Sequence, residues 1–346
     1  MEQASKKFSR DTILVDLALQ GGGSHGAFTW GVLDRFLEEP WFEIDGVSGT
    51  SAGAMNTAVL AAGFAKGGAL GARVALENFW RGVSDAARFS PLQRGLIDRL
   101  LGRWTMDNSP GYIMADMMSR VISPYTLSTG AKNPLRDILA EFIDFEAIPN
   151  SPINVFVTAT NVHTGRGRVF RNHEITPEIL LASACLPTMF QAVEIDGDHY
   201  WDGGYSGNPT LTPLVRYCKS DDMILVPINP VERAEVPRSP SEIMNRLNEI
   251  SFNAVALKEL RMIAMLRKVV DAGDNEGAEW AKLRLHRVGN DVMTTLGASS
   301  KMITEWAFLT MLRDEGRKSA QVFLDEHAQD LGRKSTMNID ALLDGV

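Results

Sequence analysis

The stretch TILVDLALQGGGSHGAFTWGVLDRF, residues 12–36, joins an apolar run, a cluster of glycines and an amphipathic run without interruption. Residues 12–20 are apolar and rich in β-branched side chains, so they predict a buried strand. Residues 26–39 place apolar side chains at helical spacing, so they predict a helix. A glycine-rich turn between a buried strand and a helix is typical of doubly wound α/β proteins, and this stretch therefore decides the fold class.

The next segments repeat the alternation of strand and helix. Residues 42–48 predict a second short strand, residues 51–64 predict a helix of small apolar residues, and residues 68–83 predict a further helix. Strands that alternate with helices form parallel sheets whose two faces are both covered. We therefore expect an α/β fold with a mainly parallel central sheet.

Later segments predict the remaining strands of this sheet. Residues 153–160 predict a central strand, and residues 166–171 should pair with it across a TGRG turn. Residues 191–202 predict a hairpin, because an Asp-Gly turn separates two runs with strand character. Residues 223–228 predict the last strand of the chain.

Two long segments depart from this alternation. Residues 84–133 are rich in Met, Leu and aromatic side chains and are broken by Gly and Pro, so they predict a helical insertion. Residues beyond 239 predict mostly helix, with no internal repeat or low-complexity linker. We expect one catalytic domain over residues 12–230 and a helical C-terminal region over residues 239–346 packed on it, rather than two independent domains.

The composition argues against several classes of protein. The chain has 346 residues, of which 45% are apolar and 23% charged, as in ordinary globular proteins. Its net charge of -8 makes it a poor candidate for sequence-independent binding of nucleic acid. It has no run of about 18 apolar residues and no signal-peptide core, so no transmembrane helix is expected. Cys185 and Cys218 are too few for a disulfide framework, which favours the cytoplasm.

The first candidate for chemistry is the G-x-S-x-G pattern formed by Gly49, Ser51 and Gly53. It lies between a predicted strand and a predicted helix, which is the context of a nucleophile elbow. The glycines permit a tight turn, and the N-terminus of the helix would favour an alkoxide or oxyanion at Ser51. The alternative is a tight strand-to-helix turn without any chemistry.

A serine nucleophile needs a base, which is usually a histidine. The sequence predicts surface positions for most of its histidines, with His286 and His327 on charged helix faces. His25 is the exception, because it lies in the glycine-rich loop. The six histidines are His25, His163, His173, His199, His286 and His327.

Asp202 has better surroundings for a base, because it ends a predicted strand and is followed by Gly203 and Gly204. The two glycines permit a sharp turn that would aim its carboxylate across the sheet. An aspartate can deprotonate a serine only if proton transfer is concerted with attack and the oxyanion is well stabilised. The alternative is an ordinary Asp-Gly turn between strands.

The glycine-rich loop itself has two interpretations. Three consecutive glycines at the end of a strand would direct several N–H groups at one point, which suits an oxyanion hole or a pyrophosphate site. These are Gly21, Gly22 and Gly23. With Gly26 the loop also spells the G-x-G-x-x-G of dinucleotide-binding proteins, which need an acidic residue at the end of the second strand. Glu43 and Asp45 are near that distance, but GTSAG occupies the strand end.

Three motifs in this order, GGGSHG at 21–26, GTSAG at 49–53 and DGG at 202–204, resemble the signature of the patatin-like phospholipase family. The segment ASACLP at 182–187 is similar to the family's A-S-x-x-x-P segment. The resemblance covers about residues 12–230 of the chain. It implies a three-layer α/β/α sandwich and a Ser-Asp dyad that works without histidine, metal or cofactor.

The resemblance also assigns roles to residues of the motifs. Ser51 would be the nucleophile and Asp202 the base. The oxyanion donors would be the backbone N–H groups of Gly21, Gly22 and Gly23.

Three further positions carry smaller expectations. Gly26 would let the first helix pack closely. Many family members carry Arg or Lys where His25 stands, which leaves the role of His25 open. Asp196 and Asp198 are spaced like cation ligands but lack the rest of a calcium loop, so they are predicted to be turn residues.

The reaction implied by the resemblance is acyl transfer from a lipid ester to water through an acyl-enzyme on Ser51. The substrate would be a phospholipid or a related lipid. A thioesterase, or a hydrolase of an intracellular polyester, would use the same dyad. A nucleotide-binding protein and a lipid-binding protein that has lost catalysis are alternatives from other classes.

Two segments bear on how a lipid would reach this site. The insertion at 84–133 could line or cover an acyl channel as a lid, because flexible Met side chains suit apolar ligands, or it could be ordinary core. Residues 243–268 predict a long amphipathic helix with a basic end, which could rest on an anionic membrane or pack on its own domain. We expect a cytoplasmic protein, with peripheral membrane contact as its closest association with lipid.

Overall fold

Eight strands form a single sheet in the computed structural model, which describes residues 11–88, 90, 92–127, 133–270 and 276–343. The strands are β1 (Ile13–Leu19), β2 (Phe42–Gly49), β3 (Asn154–Asn161), β4 (Gly167–Arg171), β5 (Val193–Ile195), β6 (Asp198–Asp202), β7 (Asp222–Val226) and β8 (Arg284–Arg287). Their order is β5-β6-β3-β2-β1-β7-β8, with β4 paired to β3 beside this path. The β3-β2-β1-β7-β8 part is parallel, and the pairings that involve β4, β5 and β6 are antiparallel.

Helices cover both faces of this sheet. In the described residues they are α1 (Gly26–Phe36), α2 (Ala52–Ala86), α3 (Leu96–Leu100), α4 (Pro110–Val121), α5 (Pro124–Leu127), α6 (Pro134–Phe142), α7 (Pro177–Ser183), α8 (Thr212–Tyr217), α9 (Pro240–Val269), α10 (Glu276–Ala281), α11 (Val292–Thr295) and α12 (Trp306–His327). The predicted strands, the β5–β6 hairpin and the mainly parallel sheet are confirmed.

Strand β1 separates two apolar cores because its side chains alternate between the faces of the sheet. Leu17 and Leu19 join the core formed with α1, α2 and α12. Ala18 points to the other face and joins the core formed with α8, α9 and α10. One layer of helices therefore lies on each side of the sheet, which confirms the expected α/β/α sandwich.

Helix α2 contains both helices that the sequence predicts over residues 51–83. Its helical geometry breaks at Gly67 and at Gly68, where φ is 59°. Among the helices in the described ranges, α2 is the one long and apolar enough to cross a membrane by length and composition. Its first turns are buried in the core beside β1 and β2. A buried core helix of a globular protein passes the same test of length and composition.

The C-terminal region contributes to the sheet, which the sequence analysis did not predict. β8 pairs in parallel with β7 and extends the sheet by one strand. His286, predicted on a charged helix surface, is fully buried in β8, where its Nε2 lies 3.0 Å from Asp222 Oδ1. The prediction was wrong because Arg284, which suggested a solvent-facing helix, instead bonds to the same Asp222 at the sheet edge.

Other parts of the chain agree with the sequence. The insertion at 84–133 is helical in α3, α4 and α5, although residues 128–132 fall outside the described ranges. His163 and His173 are exposed, as predicted. Helix α12 packs on α1, where Arg317 donates to Glu38 at 2.8 Å. The C-terminal region is thus joined to the catalytic motifs by both the sheet and a helix layer.

Candidate active site

Ser51 lies at a sharp turn between the end of β2 and the first residue of α2. Its φ of 53° and ψ of -120° form a conformation that non-glycine residues rarely adopt, and such strain clusters at functional sites. Its N–H donates to Ser183 Oγ at 2.9 Å, and that hydroxyl donates to the carbonyl of Thr158 at 2.7 Å. Gly49 and Gly53 pack directly on each other, because a Cβ on Gly49 would lie 2.4 Å from the Gly53 carbonyl oxygen. The geometry is that of a nucleophile elbow.

Asp202 ends β6 and is brought to Ser51 by the antiparallel pairing of β6 with β3. The carboxyl group is buried, with 3% of the residue exposed, and its Oδ1 accepts a bond from the Gly204 N–H at 2.7 Å. The Ser51 hydroxyl is near enough to the Asp202 carboxyl to lower the pKa of that group. The fold therefore brings together the two residues that the sequence singled out for nucleophile and base.

Burial raises the pKa of the Asp202 carboxyl to about 7, because the charged form loses its hydration. The bonds from Gly204 and Ser51 and the positive charge of Lys301 act in the opposite direction. A carboxyl group with a pKa near neutrality can accept and return a proton at physiological pH.

The loop of three glycines lies directly against Ser51. A Cβ on Gly21 would be 2.6 Å from the Ser51 Cβ, so no other residue fits there. The Gly21 N–H donates to Asn208 Oδ1 at 2.7 Å. This bond occupies the N–H group that was expected to donate to the oxyanion, so Gly21 does not fit the role of oxyanion donor in this conformation. The N–H groups of Gly22 and Gly23 have no acceptor within the described ranges and stay candidates for it.

His25 is buried, and it anchors this loop to the C-terminal region. Its Nε2 lies 2.8 Å from Ser300 Oγ, whose proton goes to the carbonyl of Gly297 at 2.7 Å, so Nε2 carries the proton of the neutral ring. Burial and the positive charges of Lys301 and Arg233 hold the His25 pKa well below its usual value. His25 is therefore neutral, and it brings no positive charge to the loop.

Gly26 begins α1 beside the start of α2. A Cβ at this position would lie 2.7 Å from the Ala52 Cβ, so the glycine allows the two helices to approach closely. This contact agrees with the packing role expected for Gly26.

Ser51 opens on a cavity of about 350 Å³. Most of its lining is apolar and comes from α2, α6 and the loop after α7. These apolar residues include Met55, Phe79, Trp80, Val83, Leu135 and Phe190. A cavity of this size and character suits an acyl chain. From the insertion at 84–133, Ala87, Ser90 and Leu92 contribute to the lining, whereas the Met-rich α4 does not among its described residues.

A larger, more polar cavity of about 560 Å³ adjoins the first. Ala87, Leu92 and Thr304 line both cavities, and Arg94 and Glu305 line the larger one. It contains neither Ser51 nor Asp202, so the smaller cavity is the one associated with the candidate chemistry.

Lys301 also lines the cavity of Ser51, and the sequence analysis missed it. It lies in the 3-10 turn Ser299–Met302, and its Nζ donates to Asn229 Oδ1 at 2.8 Å. Burial lowers the pKa of its ammonium to about 8. Its sequence context, ASSKM, carries no motif, and only the folded chain brings this position to residues near 20 and 200.

The side chains considered as metal ligands lie away from the cavity of Ser51. Asp196 lies in the turn of the β5–β6 hairpin, as predicted, whereas Asp198, also predicted to be a turn residue, is the first residue of β6. In the part of the chain that the structure describes, the one group of suitable ligands is Asp16, Asp45 and Cys218, whose ligand atoms lie within 4.8 Å of one another. None of these three residues lines the cavity of Ser51.

The motifs of this site fall within a region that matches a known protein family. A family model described as patatin-like phospholipase matches residues 17–215, more than half of the chain and a range that contains all three motifs. The crystal structure of VipD from Legionella pneumophila is similar with a TM-score of 0.42 and 14% sequence identity, over 92% of this chain and 67% of that one. No curated protein sequence gives a significant match.

Proposed function

The chain belongs to the patatin-like phospholipase family, and from that premise we propose that it hydrolyses an ester of a phospholipid or related lipid through Ser51 and Asp202. Membership in the family makes it a lipid acyl hydrolase in general terms. The observation that carries the finer proposal is a strained serine that lies beside a buried aspartate and opens on an apolar cavity.

The proposed reaction begins when Ser51 Oγ attacks the ester carbonyl while its proton passes to Asp202. The resulting oxyanion would accept hydrogen bonds from the N–H groups of Gly22 and Gly23 in the loop beside the nucleophile elbow. The C–O bond then breaks, and the leaving alkoxide takes the proton from Asp202. Water, deprotonated by Asp202, attacks the acyl-enzyme, and the fatty acid leaves as Asp202 returns the proton to Ser51 Oγ. No step needs a metal or a cofactor.

The same geometry bears on the alternative functions. A thioesterase or a polyester hydrolase would use the same dyad, and a cavity of about 350 Å³ accepts the acyl part of any of these substrates. Dinucleotide binding would need an acid at the end of β2. Glu43 lies near the start of that strand, opposite Leu14 of β1, and Asp45 lies at the irregularity between the partners of Val15 and Asp16, so neither is beside Gly21. The geometry does not favour a dinucleotide site.

A fluorophosphonate probe tests the nucleophile and the base directly. We expect the wild-type protein to be labelled and to hydrolyse p-nitrophenyl butyrate, also in the presence of EDTA. Ser51→Ala should abolish labelling, and Asp202→Asn should slow hydrolysis by about a thousandfold or more, since it removes the only base of the dyad. Labelling that survives Ser51→Ala, or full activity of Asp202→Asn, would refute the assignment.

We also propose peripheral contact with a membrane from the cytoplasm, through α3 rather than through the helix at 243–268. The basic end of that helix, α9, is engaged within the chain, because Arg261 donates to the carbonyl of Leu342 and Arg267 to the hydroxyl of Ser335. Helix α3 and the residue that follows it expose four large apolar side chains, with 58–86% of each residue accessible. They are Leu96, Ile97, Leu100 and Leu101.

A further inference from the structure

A lysine from the C-terminal region lies at the cavity of the nucleophile. Lys301 lines the same cavity as Ser51, Gly23 and Ser24. The matched family region ends at residue 215, so no family motif supplies this side chain. It reaches the site because the turn Ser299–Met302 packs against the turn formed by Gly23–His25.

The ammonium of Lys301 lacks an ion-pair partner. Its hydrogen bond goes to the neutral side chain of Asn229, and in the described parts of the chain no carboxylate lies within 4.0 Å of its Nζ. Glu249 of α9 faces it, but Arg233 and Arg246 already bond to that carboxylate at 2.6 and 3.2 Å. Burying an ammonium without an ion pair costs free energy, and groups of this kind cluster at functional sites.

Lys301 is also joined to the glycine-rich loop through the backbone and through Asn229. Asn229 Nδ2 donates to the carbonyl of Gly21 at 2.6 Å, while its Oδ1 accepts from Lys301. A Cβ on Gly23 would lie 2.4 Å from the carbonyl oxygen of Lys301, so the two backbones are in close contact. Movement of Lys301 is therefore coupled to the loop that carries the candidate oxyanion donors.

We propose that Lys301 is a positioning residue that supplies the positive charge of the active site, favouring ionised Asp202 before attack and the oxyanion after it. The inference rests on the proposed Ser51–Asp202 hydrolysis. The other groups facing this ammonium are Glu249 from α9, Arg233 from the loop after β7 and neutral His25 from the glycine-rich loop. Glu249 is the stronger negative influence on Lys301, but it is also bonded to Arg233 and Arg246, whereas Asp202 is the negative charge at the candidate site itself.

The charge of Lys301 should affect both sides of the pH profile. The rate should rise with pH as Asp202, whose pKa is about 7, loses its proton. It should fall as Lys301, whose pKa is about 8, loses its own. Without the lysine charge, Asp202 would ionise at a higher pH, and the falling side of the profile would disappear.

Three substitutions separate charge from packing. Lys301→Met removes both the charge and the bond to Asn229. Lys301→Gln keeps an N–H donor for Asn229 but removes the charge. Lys301→Arg keeps a charge that does not titrate in the range of the assay. Lys282→Met, which removes a lysine that pairs with Asp221 and Glu279 far from Ser51, is the control.

The measurement is kcat/KM for p-nitrophenyl butyrate from about pH 5 to about pH 10, with thermal melting as a check on folding. We expect Lys301→Met and Lys301→Gln to lose about tenfold or more at pH 7 and to shift the rising side of the profile to higher pH. Lys301→Arg should retain most of the activity and lose the falling side. Lys282→Met should match the wild type.

The outcomes distinguish the two proposals. If the wild type is active but Lys301→Gln keeps its pH profile, Lys301 has only a packing role and the inference is wrong. If Lys301→Met does not fold, Lys301→Gln decides the question. If the wild type neither hydrolyses esters nor reacts with the probe, the proposed function fails, and the role of Lys301 in it fails as well.

Discussion

At the scale of single residues, the backbone strain at Ser51 is sustained by one side chain. Ser183 accepts the Ser51 N–H and donates to the carbonyl of Thr158, which links the elbow to the central strand β3. Ser183 lies in the ASACLP segment, whose resemblance to the family was apparent from the sequence. Its contact with the nucleophile was not, because the two serines are 132 positions apart.

Ser183→Ala tests this support of the nucleophile elbow. The change leaves the buried N–H of Ser51 and the carbonyl of Thr158 without their partner, which costs about 1–3 kcal/mol. We expect a lower melting temperature and a loss of about tenfold in kcat/KM, since the position of Ser51 is no longer fixed. Ser319→Ala in α12 makes the same chemical change away from the site, and it should leave kcat/KM unaltered. A variant that melts earlier but keeps full kcat/KM would show that the support is only structural.

The sequence predicted Ser51 and Asp202 because each carries a local signal, namely glycines at fixed offsets beside a strand end. Lys301, Asn229 and Asn208 carry no such signal. Each lies at the site because of contacts with the glycine-rich loop or with a residue bound to it, and these contacts connect residues near position 20 with residues beyond position 200. A local pattern cannot encode contacts that depend on how distant elements pack.

At the scale of elements, α3 has its polar and apolar sides in the reverse of the usual arrangement. Asp98 is fully buried and accepts a bond from Asn108 Nδ2 at 3.2 Å, while leucines face solvent. Leu96 and Leu100 are four positions apart, so they lie on one side of the helix. Contiguous exposed apolar side chains of this kind mark contact sites for lipid or protein.

We predict that α3 contributes to binding of lipid vesicles. Leu96→Ser combined with Leu100→Ser should weaken binding to vesicles by about tenfold or more, because two leucines no longer leave water. Co-sedimentation with vesicles of phosphatidylcholine and phosphatidylglycerol measures this, and hydrolysis of a soluble ester should be unchanged. Leu70→Ser, which removes a leucine of similar exposure from α2, is the control. Equal vesicle binding of all three proteins would contradict the role of α3.

The elements that the sequence predicted well have a clear period or a strong turn. β1, β2, β3 and the β5–β6 hairpin belong to this group. β8 was missed because it has four residues, two of them arginines, and too short a run to establish a period of two. Its strand conformation comes from pairing with β7, which is a tertiary contact and not a local preference.

At the scale of the whole molecule, the C-terminal region is part of the sheet, of the layer on α1 and of the candidate site. We therefore propose that the boundary expected near residue 230 separates two sequence segments of one cooperative unit. The matched family region, residues 17–215, contains the nucleophile and the base but not β8, α12 or Lys301.

Overall stability should depend on pH through Asp16, which lies in β1 outside the candidate site. Burial and the charge of Asp45 raise the pKa of Asp16 to about 8 in the folded chain, against about 4 when unfolded. A raised carboxyl pKa gives stability that is complete below about pH 4 and is lost as the pH rises to about 8. Asp16→Asn should therefore raise the melting temperature by a few degrees at pH 8 and by little at pH 4.

Thermal melting across this range of pH checks the role of Asp16. Asp314→Asn, at an exposed position on α12, is the matched control and should show no such dependence. A constant difference between Asp16→Asn and the wild type at all pH values would mean that Asp16 does not titrate as described.

The anchoring of the glycine-rich loop by Ser300 and Lys301 has a consequence for the order in which the protein is made. A ribosome releases the elbow and Asp202 well before it reaches the turn Ser299–Met302. Domains begin to fold during synthesis from the N-terminal side, so a nascent chain would carry a nucleophile and a base beside an unanchored loop. We expect such a chain to be a poor hydrolase, which would protect nearby membranes from an enzyme still being synthesised.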